Sequence, residues 1–110
     1  NKKYYDFILN ISEDGWFGKS IGPAQHLSHS IFRSIEEGKN VIRSTNNGVS
    51  VLVNPKGQII KQISEKGYFD VNEIKRVDKT HFAKHGNKIF FYFVLIYTTF
   101  IVILKIRENK

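Results

Sequence analysis

Residues 89–104 carry no charge, and only Thr98 and Thr99 interrupt their apolar character. No other feature limits the possible folds as strongly. As a helix this run is roughly 24 Å long, slightly short of a hydrocarbon core of about 30 Å. Lys88 and Lys105 flank it and can snorkel, and Ile106 lengthens the apolar part. A soluble domain in a chain of 110 residues has little in which to bury such a helix on every side. The sequence therefore predicts a transmembrane helix over 89–106 and a short tail over 107–110. Burial in a soluble core, as a helix or a strand pair, is the alternative.

The rest reads as a small α/β unit over 1–72 and a polar, basic, irregular linker over 73–88. Tyr4-Tyr5-Asp6-Phe7-Ile8-Leu9-Asn10-Ile11 is aromatic and β-branched and largely apolar on both faces, as in a central strand covered on two sides. A glycine-rich loop follows. Pro23 suits the first position of a helix, and Ala24, Leu27, Ile31 and Ile35 recur three and four apart along one stripe. Gly38 suits the left-handed cap that ends it. Strands are predicted at Val41-Ile42-Arg43-Ser44-Thr45, Val49-Ser50-Val51-Leu52-Val53, Gln58-Ile59-Ile60-Lys61-Gln62-Ile63 and Tyr68-Phe69-Asp70-Val71. Turns at Asn46-Asn47-Gly48, Asn54-Pro55-Lys56-Gly57 and Ser64-Glu65-Lys66-Gly67 separate them.

The chain has no cysteine, which removes disulfides, thiolate metal sites and thiol chemistry. It also lacks methionine and begins with Asn1, so it is expected to be a piece of a longer protein. The net charge of +7 thickens at Lys75, Arg76, Lys79, Lys84 and Lys88, and again at Lys105, Arg107 and Lys110. These clusters bracket the apolar run and suggest a membrane surface. No nucleic-acid recognition motif accompanies the charge, so no nucleic-acid partner is expected.

Several segments in order carry a family likeness: Asn10-Ile11-Ser12-Glu13-Asp14-Gly15-Trp16-Phe17-Gly18, Gly22-Pro23-Ala24-Gln25-His26-Leu27, Arg33-Ser34-Ile35-Glu36, Arg43-Ser44-Thr45-Asn46-Asn47-Gly48, and Asn54-Pro55-Lys56-Gly57. Together they resemble the C-terminal half of the catalytic domain of the apolipoprotein N-acyltransferases, membrane-bound members of the nitrilase (carbon–nitrogen hydrolase) superfamily. Thr80-His81-Phe82-Ala83-Lys84-His85-Gly86-Asn87 resembles the segment that joins that domain to the last transmembrane helix.

The resemblance implies a four-layer αββα sandwich, of which this chain holds the C-terminal part, with no metal and no cofactor. It implies a Glu-Lys-Cys triad that lies wholly upstream, so no catalytic residue is expected in this segment and the segment alone is expected to be inactive. The cysteine would take an acyl chain from a phospholipid as a thioester and pass it to the amino group of a lipoprotein's N-terminal diacylglyceryl-cysteine. The place implied is the bacterial inner membrane, with the globular part periplasmic and the tail cytoplasmic. A naive count of Lys and Arg points the other way, but earlier helices and large translocated domains override such counts. An ordinary nitrilase-type amidase and a non-catalytic membrane-anchored remnant of a split gene remain as alternatives.

With the resemblance in view, Trp16, Phe17 and Asn46 are the candidate substrate-side residues. Trp16 and Phe17 offer large apolar area with a wettable edge at the mouth of the site; alternatively they fold back and pin the loop. Asn46 either orients substrate or is a turn residue. Asp14, Gly15, Gly18, His26, Arg33, Glu36, Arg43 and Thr45 are candidates for structural support. Asp14 is expected to close its loop by accepting backbone N–H groups, and Gly15 and Gly18 to permit unusual backbone angles. His26 is expected to tie the helix start to the loop, and Arg33 with Glu36 to bridge the helix to neighbouring strands. His26 and His29 share a helix face but lack a third ligand at suitable spacing, so no metal is expected.

Overall fold

The computed structural model describes residues 4–75 and 77–108. The first strand, β1 (Phe7–Glu13), leads through a 3-10 turn (Gly15–Phe17) into helix α1 (Gly22–Glu37). Strands β2 (Asn40–Asn46), β3 (Ser50–Val53) and β4 (Ile59–Ile63) follow. After an irregular stretch come a short helix, α2 (His81–His85), and the long α3 (Lys88–Glu108). The strands form one sheet in the order β1-β2-β3-β4. β1 and β2 run parallel across the α1 crossover, and the other pairs are antiparallel.

The crossover sets the geometry. Parallel strands need a long connection, and α1 supplies it while covering one face of the sheet. Its amphipathic stripe places Leu27 and Ile31 on Val41, Val51 and Val53, with Ile8 and Val49 at the margin. Pro23 sits in the first turn, where its missing N–H costs nothing. Gly38 ends the helix at φ 64°, a left-handed angle that glycine adopts without steric penalty.

Two expectations differ from what the described residues show. Among them β1 stands at the edge of the sheet and not in its centre. Its even-numbered residues lie under α1, whereas Phe7, Leu9 and Ile11 face outwards, with Ile11 80% exposed. Its apolar character on both faces thus corresponds to one covered face and one open face. Tyr68-Phe69-Asp70-Val71 forms no strand; Tyr68 is exposed and β4 gains no partner there. A β-rich composition without a neighbour to pair with does not make a strand. Of the expected sandwich, the described residues hold one sheet and the helix layer on it.

The linker is more ordered than its composition suggests. Thr80 caps α2 by accepting the Ala83 N–H at 3.0 Å, and its own hydroxyl donates to the Glu36 carbonyl in the last turn of α1. The side chains of Val77 and Thr80 lie over Gly38, so close that an added Cβ would meet Val77 Cγ2 at 2.9 Å. α2 is therefore fastened to the C-terminal end of α1. Only Gly86 and Asn87 separate it from α3. Helix α3 has a mean hydropathy of 2.3 over its most apolar window and buries none of it against the rest of the chain. It is long and apolar enough to cross a membrane.

Candidate functional site

The parallel pair β1 and β2 ends level, with Glu13 opposite Asn46. In parallel α/β sheets the crevice outside the carboxyl ends of the strands is the usual binding place. Here two loops meet at that edge, Asp14–Gly18 after β1 and Asn47–Val49 after β2.

Asp14 and Arg43 form the floor of this region. Asp14 is 1% exposed and Arg43 0%. Arg43 Nη2 donates to Asp14 Oδ2 at 2.5 Å. The other carboxylate oxygen receives the Ser12 hydroxyl at 3.2 Å and lies 3.0 Å from His26 Nδ1. An ionised carboxylate only accepts, so Nδ1 carries the imidazole proton. The Asp14 carboxylate therefore accepts from side chains and not, as expected, from backbone N–H groups. The residues fall together because Ile8, Asn10 and Ser12 alternate onto the α1 side of β1 as Val41 and Arg43 do on β2, with His26 on the first turns of α1.

Burial alone would push the Asp14 carboxyl up. The bonds from Arg43 and His26, the Arg43 charge and the Ser12 hydroxyl outweigh it, so Asp14 lies below the usual carboxylate range. A carboxyl whose folded pKa is depressed contributes stability that is present above its unfolded pKa, about 3.9. That stability is lost as pH falls through the folded value. Acid unfolding of the chain in micelles, followed by circular dichroism, is expected to begin below about pH 4. Asp14→Asn is expected to flatten this acid limb; an unchanged limb would show that Asp14 does not govern it.

The second loop clamps the first. Asn46 Oδ1 accepts the Asp14 N–H at 3.3 Å, and its amide nitrogen donates to a Glu13 carboxylate oxygen. The other Glu13 oxygen accepts the Gly15 N–H at 2.8 Å. Both ends of the Asn46 amide are thus engaged by the loop. Gly48 lies against the Asp14 carboxylate with no room for a Cβ. Gly15 is likewise a close approach and not a strained angle: an added Cβ would stand 2.5 Å from Glu13 Oε1. Gly18 is the position that needs glycine for its backbone, at φ 54° and ψ −143°. Thr45 turns its hydroxyl to the Asn46 carbonyl, and its N–H donates to Ser50 Oγ at 3.1 Å.

On this base the two aromatics divide. Phe17, 40% exposed, leans on α1 with its ring edge-on to His26 at a centroid distance of 5.6 Å. Trp16 does not fold back; it is 86% exposed. Arg33 and Glu36 pair with each other at 3.0 Å along α1, both partly exposed. No strand residue joins this pair, so the expected bridge to the sheet is not the contact that the structure makes. Among the described residues no three His, Cys, Asp or Glu side chains come together as a metal site. Reasoning from sequence missed Ser12 and the Asp14–Arg43 pair. An arginine in the middle of the short apolar strand at residues 41–45 was the available signal, because a buried charge demands a partner.

A parallel pair bridged by a helix, with a polar network locked beneath loops at its carboxyl end, is a frame for chemistry shared by many α/β enzymes. The sequence pattern makes it specific: the carbon–nitrogen hydrolase family matches residues 1–71, and the chain belongs to that family. Similar proteins include the apolipoprotein N-acyltransferase of Rickettsia bellii, 38% identical over 105 residues, 88% of this chain and 21% of that protein. That of Rickettsia prowazekii is 36% identical over 110 residues, 94% of this chain and 21% of its own length. That of Pseudomonas putida is 53% identical over 60 residues, 54% of this chain and 12% of its own. The chain spans about a fifth of the length of the two Rickettsia relatives.

Proposed function

We propose that this chain forms the C-terminal part of an apolipoprotein N-acyltransferase and supplies the substrate-side wall of its acyl-transfer site. The reaction has two steps. A cysteine thiolate carried upstream attacks an ester carbonyl of a phospholipid. The carbon–oxygen bond breaks, the lysophospholipid leaves with a proton, and a thioester remains. The free amine of a lipoprotein's N-terminal diacylglyceryl-cysteine then attacks the thioester carbonyl. An amide forms, the carbon–sulfur bond breaks and the amine's proton is released. This chain contributes no reacting atom, since it has no cysteine, and by itself it is inactive. It lies in the bacterial inner membrane with residues 1–72 in the periplasm, 73–88 as the junction, α3 as the span and the tail in the cytoplasm. An ordinary amidase of the same superfamily would have no use for α3.

One observation carries the role of this segment. A large apolar side chain, Trp16, is held out in solvent by a loop whose base is fastened by buried charge and by Asn46. An exposed indole on a rigid base suits contact with an acyl chain or headgroup at low entropic cost. Phe17 lines the inner side of the same mouth. Asn46, Asp14, Gly15, Gly18, His26, Arg43 and Thr45 hold its shape. In the complete enzyme, Trp16→Ala is expected to lower kcat/KM for acyl transfer roughly tenfold or more, a loss of about 1.4 kcal/mol in transition-state binding. The thermal midpoint should stay near that of the parent, and Trp16→Phe should recover most of the activity. A fall in stability that matches the fall in rate would overturn the assignment.

A further inference from the structure

The end of the domain from which α3 leaves is built differently from the mouth. Three separate stretches of sequence converge there: the residues before β1, the α1–β2 junction, and the 77–88 segment. The Lys79 ammonium stands 4.7 Å from the Tyr4 ring centroid, and that of Lys39 stands 5.8 Å from the Tyr5 ring. Tyr4 is 85% exposed. The acids of the α1 end are already occupied: Glu37 accepts the Tyr5 hydroxyl at 2.5 Å, and Glu36 pairs with Arg33. Burial and the Glu37 carboxylate push the Tyr5 hydroxyl up to about 12, so it remains a neutral donor. Asp78 is the exposed acid within the segment itself.

Helix α2 continues this surface. Phe82 and Ala83 are partly covered, whereas Lys84, His81 and His85 are exposed, with the two imidazoles stacked at 6.2 Å. Beyond Gly86 and Asn87, Lys88 opens α3. The three steps from His85 to Lys88 span at most about 11 Å, so wherever α3 enters a bilayer, α2 lies at headgroup level. Cations and tyrosines at that depth are the groups that suit a phosphate-bearing interface.

We propose that this aromatic and basic platform docks on the phosphates of anionic phospholipids in the leaflet that α3 enters, and so fixes the height and orientation of the domain. Lys79, Lys84 and Lys88 make the phosphate contacts, and Tyr4 lies along the headgroup layer. The proposal rests on α3 crossing the bilayer and not on the acyltransfer chemistry.

The absence of cysteine allows a single nitroxide label to report on one place. Asn87→Cys carries it in the full chain, reconstituted in nanodiscs of phosphatidylcholine alone or with added phosphatidylglycerol. Collision with a neutral nickel chelate is the readout. Phosphatidylglycerol is expected to lower it on the order of twofold or more, and 0.5 M salt (roughly a 4 Å screening length) to restore it. The triple variant Lys79→Gln/Lys84→Gln/Lys88→Gln is expected to lose the lipid dependence. Lys105→Gln/Arg107→Gln, at the far end of α3, is expected to keep it. No dependence on phosphatidylglycerol, or full dependence in the triple variant, would overturn the proposal. A label at Ile96→Cys tests the premise separately: exposure to the chelate there would mean that α3 does not span, whatever the platform does.

Discussion

Arg43→Ala is expected to cost the fold about 3–5 kcal/mol, the range for breaking one side of a buried ion pair. The loss comes less from the bond than from what remains. Asp14 would stay 1% exposed with its main counter-charge gone, and the Ser12 hydroxyl and the His26 imidazole at 3.0 Å would be the side-chain donors left to meet it. The loop would have to open to hydrate the carboxylate, which would also pull Asn46 and Gly48 from their seats on Glu13 and Asp14. The measurement is the thermal or urea midpoint of the chain in micelles, followed by circular dichroism. Arg43→Met combined with Asp14→Leu should recover a large part of the loss, because apolar replacement of both partners removes the stranded charge. A single-variant cost below about 1 kcal/mol, the level of an exposed pair, would show that the pair is not sealed from water.

The second large effect concerns α3. Leu95→Arg/Thr99→Arg places two cations one helical turn apart in the middle of its uncharged run. At the centre of a spanning helix each arginine opposes insertion by about 2.5–3.5 kcal/mol, so the pair opposes it by about 5–7 kcal/mol. The native helix offers nothing to neutralise them: none of it is buried against the domain. The Thr98 and Thr99 hydroxyls are already satisfied, donating back to the Val94 and Leu95 carbonyls at 2.8–2.9 Å. The variant is expected to move from the membrane pellet to the supernatant on alkaline extraction, whereas the wild type stays in the pellet. An equally firm hold by both would mean that α3 is not what anchors the chain.

Elements that the sequence announced share a property: their signal is local. α1 carries its start in Pro23, its stripe in Leu27 and Ile31, and its end in Gly38. α3 is one uninterrupted composition. The aromatic loop was legible as a built feature, and in it Trp16 faces solvent and does not fold back. What was illegible depends on partners far along the chain. The covering of β1 cannot be read from β1, since apolar residues on both faces serve equally a buried strand and an edge strand with an open side. Tyr68-Phe69-Asp70-Val71 has strand composition but no neighbour. α2 is five residues long, too short for periodicity, and only its cap at Thr80 marks it. The Asp14–Arg43 pair joins residues 29 apart, and only the parallel pairing of β1 with β2, which sets Arg43 opposite Asn10, brings the loop after β1 within reach of that arginine.

The mouth and the platform sit at opposite ends of one rigid strut. Phe17 and His26 lie by the N-terminal end of α1, and Thr80 is fastened at its C-terminal end. Sixteen helical residues separate those ends by roughly 24 Å. Were the strut to stand upright on the bilayer, the Trp16 indole would hover beyond the reach of any acyl chain still rooted among its neighbours. If the proposed function holds, a lipid would meet that indole without leaving its leaflet only where the domain reclines, strands nearly parallel to the membrane plane, and the tilt of α1 would then decide whether substrate arrives by lateral diffusion or must first be lifted out.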